Sequence, residues 1–449
     1  MSPPNTSTAS SLPEKSGHAK TSEHAVASNQ NEQSLATKPS WWDRPKNAIT
    51  ALDGLRAIAI MLVIGRHGVR PFWGEQGFLS VAGWDLGTPM HNGWMGVDLF
   101  FVLSGFLITI HILRRYGTEF TFGHLADYGR RRAYRIVPAY VAAIVVAISG
   151  LVPFFVVADE NLAWRVGYHL LFLQDYLPAN IVVVFWSLGV EEKFYLITPF
   201  ALMAILRLRR RQTQYLCLLG ILVLPILFRM TKVQLGTVAT DYEGFFHEFR
   251  SPFHLTFDGL AMGVLTAFIY LDKEKWSWTQ NPRVANAICW SGIGIFSALL
   301  FCVPLLEEVS LFDITILQSL VAIASAAILL GLVLGGGPVK LLSGKQLFAI
   351  GKLSYSWYLV HLMTIPMSIW IAQSVLGSAE LNLTVFVVFA GFYVPLSFAF
   401  AVGLHTLVER PFLALRDHRA NAGVTSRTTN PQSPVVGNQV LQRTSAMRG

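Results

Sequence analysis

Residues 93–113 read GWMGVDLFFVLSGFLITIHIL, and across those 21 positions the only charged side chain is Asp98. At 1.5 Å rise per residue such a helix is about 30 Å long, the thickness of a bilayer's hydrocarbon core. It has no polar face to turn toward water, so lipid rather than solvent must surround it. Nine further apolar stretches of similar length occur at 48–69, 136–157, 183–206, 214–231, 252–271, 284–304, 312–336, 348–374 and 382–408. The sequence therefore predicts an all-α, polytopic membrane protein with about ten transmembrane helices.

Composition points the same way. The 449 residues are 53% hydrophobic and only 14% charged, against about 25% charged in soluble domains. That excludes an ordinary soluble enzyme and a disordered chain. The expected organisation is a disordered tail at 1–47, a transmembrane domain at 48–412 and a second disordered tail at 413–449. Residues 1–40 hold no aromatic side chain, and residues 420–449 hold neither an aromatic nor an acid. Such segments cannot bury enough surface to offset chain entropy. Trp41 and Trp42, beside Arg44 and Lys46, have the composition of an interfacial anchor.

The net charge is +8. The basic residues fall in short clusters between apolar stretches, so membrane topology explains them and a nucleic-acid partner does not. Placing both termini in the cytoplasm puts the clusters at 114–135, 207–211, 273–283, 340–345 and 410–419 inside, and leaves few Lys or Arg outside. Segment 163–177, with Arg165, His169 and Asp175, is then an outer interfacial or re-entrant piece, because a further crossing would expel a basic cluster. Cys217, Cys289 and Cys302 have neither disulfide nor metal spacing. No apolar stretch lies near Met1, so the first span is expected to serve as its own insertion signal.

Ionisable side chains within spans are costly and mark functional candidates. Arg56 and His67 lie eleven residues apart on the first span. At about 100° per residue they share one face, about 16 Å apart along the axis. Asp53 is one turn before Arg56 and can pair with it. Asp98 needs a partner beside its aromatic run. Arg131, Arg132 and Arg135 enter the third span and suit either an anchor or a phosphate grip. The fourth span carries Trp186, Glu191, Glu192 and Lys193, with one acid expected to pair with Lys193 or a distant arginine. Ser354 and His361 share a face two turns apart.

These segments, in this order, resemble the acyltransferase-3 family of integral-membrane O-acyltransferases. The features are DGLR at 53–56 with His67 beyond it, GVDLFFVLSGFL at 96–107, RRAYRIVP at 131–138 and WSLGVEEKFY at 186–195. Asp258-Gly259, LSYSWYLVH at 353–361 and Glu409-Arg410-Pro411 complete the set. The resemblance spans about residues 50–412. It implies transfer of an acyl group, usually acetyl, from cytoplasmic acyl-CoA to a hydroxyl of a carbohydrate, glycolipid or related acceptor. No bound cofactor or metal is implied, since acyl-CoA is a substrate. Family roles carry over to Arg56 and His67, to the Arg131, Arg132 and Arg135 cluster, and to Glu191 or Glu192. Some members carry a fused extracytoplasmic esterase-like domain, which is not expected after the last span here.

The expected mechanism has His67 as general base on the acceptor hydroxyl, with an acyl-His relay as the alternative. Arg131, Arg132 and Arg135 bind the CoA phosphates, Arg56 lies along the donor arm, and Glu192 orients His67 or the hydroxyl. Asp98, Trp186, Glu191 and His361 are the candidate substrate-binding residues. The rival readings are a proton-coupled transporter or flippase and a non-catalytic scaffold. The expected location is the plasma or inner membrane, multi-pass.

Overall fold

A computed structural model describes residues 49–73, 78, 80–81, 84–117, 121–237, 239, 241–302 and 309–418. The expected first tail with the Trp41–Trp42 anchor and residues 419–449 lie outside the described residues, whereas 413–418, assigned to the second tail, are helical and continue the last helix. Eleven helices carry the fold: α1 (Ala51–Val69), α2 (Met95–Tyr116), α3 (Phe122–Ile148), α4 (Trp186–Leu206), α5 (Arg211–Gln234), α6 (Asp258–Leu271), α7 (Pro282–Cys302), α8 (Gln318–Val333), α9 (Lys345–Val360), α10 (Ile365–Leu376) and α11 (Leu383–Leu404). The strand content among the described residues is one pair of two-residue strands, Ser80–Val81 and Trp84–Asp85. The segment 163–177 contains a helix of nine residues, Leu162–Leu170, about 14 Å long and too short to span.

Among the described residues six helical segments are long and apolar enough to cross a membrane: Thr88–Tyr116, Arg211–Gln234, Pro282–Cys302, Asp313–Val333, Lys345–Leu376 and Leu383–His418. The other long helices fall short for a chemical reason. α1 carries Asp53, Arg56 and Arg66, α4 carries Glu191, Glu192 and Lys193, and α3 starts with its arginine cluster. The helix α6 has only 14 residues. Charge placed inside these helices is thus what separates them from plain lipid-facing spans. Large apolar side chains such as Leu196, Phe200, Leu216, Leu227 and Val387 are exposed. Water-soluble monomers rarely display such faces. The chain is a multi-pass membrane protein.

Small residues set the closest helix contacts, as expected where lipid supplies no hydrophobic drive between helices. A Cβ at Gly105 on α2 would lie 2.0 Å from the Leu260 carbonyl oxygen of α6. At Gly351 on α9 it would lie 2.1 Å from the Asp53 carbonyl oxygen of α1. Neither position has room for any other residue. α1 and α9 run parallel, with Asp53 against Gly351 toward one end and His67 beside His361 toward the other. α2 and α6 are also parallel: Gly259 packs on Phe101, Gly263 on Phe106, and Arg114 covers the Tyr270 ring. α9 ends at Val360, where a short 3-10 turn, His361–Thr364, precedes α10.

Candidate active site

Two cavities lie on either side of a thin partition. The larger, about 430 Å3, is walled by Arg56 of α1, Ser104 of α2, Arg131, Arg132 and Arg135 of α3, Glu191 and Tyr195 of α4, and Tyr355 of α9. The smaller, about 110 Å3, is walled by Arg66, His67 and Arg70, by Trp94 and Trp186, and by Tyr242, Glu243, His247 and Arg250 from the segment before α6. Val97 and Tyr358 belong to both walls. The Tyr358 hydroxyl is fixed by Ser187 Oγ at 2.6 Å and donates to the Val184 carbonyl at 2.8 Å. The larger cavity holds Arg56 and the smaller holds His67, so the two residues on one helix stripe face different compartments.

The larger cavity is cationic. Asp127 collects Arg130 at 2.7 Å, Arg131 at 2.9 Å and Arg115 at 3.2 Å. Burial pushes its carboxyl up, but hydrogen bonds from Arg131, Tyr116 and Arg130 prevail and hold it well below the usual carboxylate range. Arg56 pairs with Asp53 at 2.9 Å, as the spacing predicts. Arg132 lies over the Tyr195 ring at 5.1 Å. Among the described residues neither Arg132 nor Arg135 has a carboxylate partner. Two planar guanidinium groups held in no ion pair suit a bidentate phosphate.

At the smaller cavity His67 meets a second imidazole. His361 is fully buried, and its Nδ1 bonds the Tyr358 carbonyl at 2.8 Å and the Trp357 carbonyl at 3.2 Å. A carbonyl only accepts, so Nδ1 carries the proton and Nε2 is left with a lone pair. That Nε2 lies 3.3 Å from His67 Nδ1, which also faces the Val63 carbonyl at 2.9 Å. Both neighbours of His67 Nδ1 are acceptors, so it too is protonated. Neutral His67 therefore presents an unprotonated Nε2, the form a general base needs. The tautomers follow from this hydrogen-bond pattern.

The remaining candidates fall in different places. Trp186 lines the smaller cavity and stacks on Arg250 at 5.3 Å. Asp98 is buried in a fork with Arg250 at 2.8 and 2.6 Å, so its charge is already matched and it is not in either cavity wall. Glu191 lines the larger cavity and accepts from the Tyr195 hydroxyl. Glu192 is in neither wall, its Oε1 is buried without a partner among the described residues, and it does not reach His67. The place beside His67 belongs to His361, which itself lines neither cavity. Lys193 pairs with neither neighbouring glutamate. The loop after Leu162–Leu170 folds back to bring Asp175 to 2.5 Å and the Phe172 carbonyl to 2.6 Å. Buried Asp175 needs a cation, and Lys193 is within reach.

Sequence reasoning missed Arg66, Arg250 and Tyr358. Arg250 reads as a loop charge until Asp98 is seen to need a cation. Tyr358 stands one turn before His361, a spacing that puts it on the same face.

The profile of the acyltransferase-3 family, described as an acyltransferase domain, matches residues 49–405. The Listeria monocytogenes peptidoglycan O-acetyltransferase OatA is 30% identical over 35% of this chain and 25% of its own. The Staphylococcus aureus O-acetyltransferase OatA is 26% identical over 70% of this chain and 50% of its own. The Bacillus subtilis protein YrhL is 25% identical over 71% of this chain and 49% of its own. The chain thus spans at most about half the length of these relatives. No solved structure matches it. With the family profile covering nearly every described helix, the chain belongs to the acyltransferase-3 family.

Proposed function

We propose that the protein is a membrane O-acyltransferase that moves an acyl group, usually acetyl, from cytoplasmic acyl-CoA to a hydroxyl of a carbohydrate acceptor on the far side. The observation that carries this reading is the pair of cavities joined at Val97 and Tyr358. The arginine-lined cavity suits an anionic donor, and the histidine cavity suits an alcohol. Arg131, Arg132 and Arg135 hold the CoA phosphates, Arg56 lies along the pantetheine arm, and the acyl end passes between Val97 and Tyr358.

His67 Nε2 takes the acceptor hydroxyl proton as the oxygen attacks the thioester carbonyl. The tetrahedral adduct collapses, the carbon–sulfur bond breaks, and the departing sulfur takes the proton back from His67. His361 acts through His67, sharing its Nδ1 proton with the Val63 carbonyl, and takes the positioning role that the sequence suggests for Glu192. The Listeria relative is a peptidoglycan O-acetyltransferase, which makes a cell-wall glycan the first acceptor to test.

The topology we assign has ten crossings, both termini cytoplasmic and a transmembrane domain at 48–412. Parallel α1 with α9 and parallel α2 with α6 support it, because each pair has the same parity in a ten-span count. A crossing at 163–177 would make α2 and α6 antiparallel. The experiment follows acetyl-labelled acetyl-CoA in membranes containing the wild type or His67→Ala. Label in glycan and release of CoA, both lost in the variant, are expected. Equal transfer by the two would remove His67 from the chemistry.

A further inference from the structure

We propose that the smaller cavity is an oxyanion site, holding a phosphate or carboxylate borne by the acceptor against Arg66, Arg70 and Trp94. The proposal rests on the acyl-transfer reading and adds the charge of the acceptor to it. Arg66 is 2% exposed, its guanidinium lies 4.7 Å over the Tyr242 ring, and it donates to His91 Nε2. Its Nη2 has no acceptor among the described residues, and neither has the indole Nε1 of Trp94 in the same wall. Buried polar groups are normally satisfied. Both orphans are donors, so the missing group is an acceptor.

The charge around them says which kind. Arg70 adds a second cation, exposed, over the same Tyr242 ring at 5.9 Å. Arg250 is already matched by Asp98. Glu243 is the single carboxylate in the wall, beside the titratable His67 and His247. His91, which faces Arg66, offers no negative charge in any form. The wall thus keeps a cationic excess over Glu243 next to two empty donors, which an anionic oxygen ligand answers with charge-assisted bonds. The size agrees. A cavity of about 150 Å3 takes one benzene ring, so 110 Å3 accepts one small charged group with the reacting hydroxyl beside it, while the bulk of the acceptor stays outside. Because His67 follows Arg66 directly, the anion and the reacting hydroxyl sit within one sugar unit or on adjoining units.

The test uses the purified chain in detergent, carrying Arg131→Gln, Arg132→Gln and Arg135→Gln so that the donor arginines do not report. Thermal midpoints are titrated with inorganic pyrophosphate, N-acetylmuramic acid and neutral N-acetylglucosamine. Saturable stabilisation by at least one of the two anions, and none by the neutral sugar, is expected. Pyrophosphate alone responding assigns a phosphate, and N-acetylmuramic acid alone responding assigns a carboxylate. Arg70→Gln, at an exposed position, and Arg66→Lys, which keeps the charge but loses the fork, should each weaken the responding anion by about tenfold. Absence of saturation with both anions, or affinities unchanged in both variants, overturns the proposal. Acetyl-CoA is titrated separately into the protein with its arginines intact. Failure there with the anion response preserved would sink the donor reading and not the oxyanion site.

Discussion

His361 Nε2 stands 3.3 Å from His67 Nδ1, and its own proton is committed to the carbonyls that close α9. A buried imidazole on one helix thus shares in setting the tautomer of a half-buried imidazole on another. His67→Ala should lower kcat by about 10²–10⁴-fold, the range of general acid–base catalysis. His361→Ala should lower kcat less, leave the KM for acetyl-CoA nearly unchanged and shift the pH–rate profile, because His67 Nδ1 then keeps only the Val63 carbonyl as acceptor and loses the neighbouring imidazole. Steady-state kinetics across pH checks both. An unshifted profile in His361→Ala would reduce His361 to packing.

Arg132→Gln and Arg135→Gln should act on donor binding. Each removes a guanidinium with no carboxylate partner among the described residues, so little is lost in the unliganded protein. Charge-assisted hydrogen bonds contribute about 1.5–3 kcal/mol, so the KM for acetyl-CoA should rise by about tenfold or more at similar kcat. Acetyl-dephospho-CoA, which lacks the 3′-phosphate, would show which arginine meets that phosphate, because the variant at that position should lose its effect on KM.

The Val97–Tyr358 partition should govern acyl length. Val97→Ala widens it and is expected to raise relative transfer of a butanoyl group over acetyl. Val97→Phe should block acetyl transfer while acetyl-CoA still binds. Tyr358→Phe removes the bonds to Ser187 and Val184 and should loosen the same preference. A chain-length profile identical in all variants would place the acyl path elsewhere.

Asp98 and Arg250 form a buried pair, and cutting one partner leaves an uncompensated charge. Asp98→Ala should destabilise by about 3–5 kcal/mol, seen as a lower thermal midpoint in detergent. The double variant Asp98→Leu with Arg250→Met should recover much of the loss in stability.

Asp127 supplies a pH dependence with a defined sign. Its folded carboxyl is held below the usual range, so its contribution is complete above the unfolded value of about 3.9 and is lost as pH falls through the folded one. The midpoint gap between wild type and Asp127→Asn should be widest at neutral pH and close progressively in acid. A constant gap would mean that Asp127 acts without its charge.

Hydropathy and charge clusters made the helices legible, because each apolar stretch is local in sequence. Arg56 and His67 were legible as one stripe for the same reason. What was not legible is which distant group meets each polar residue. His361 lies 294 positions from His67 and Arg250 lies 152 from Asp98. Helical periodicity says nothing about such pairs. Adjacency misled at Lys193, where the nearby glutamates looked sufficient, yet Asp175 returns through a loop to claim the amine. Glu192 illustrates the converse, an acid placed by motif that the packing turns away from both cavities.

The partition at Val97 and Tyr358 has an electrical consequence. On the proposed reaction the acceptor's proton leaves a hydroxyl on one face and finishes on a thiol on the other, while no ion-conducting path opens between the two cavities. The acyl group crosses outward as the proton crosses inward, so acceptor and donor each keep their charge and the exchange is electroneutral. A membrane potential then gives the overall transfer no net pull, and collapsing it in sealed vesicles should leave the extent of acetyl transfer unchanged.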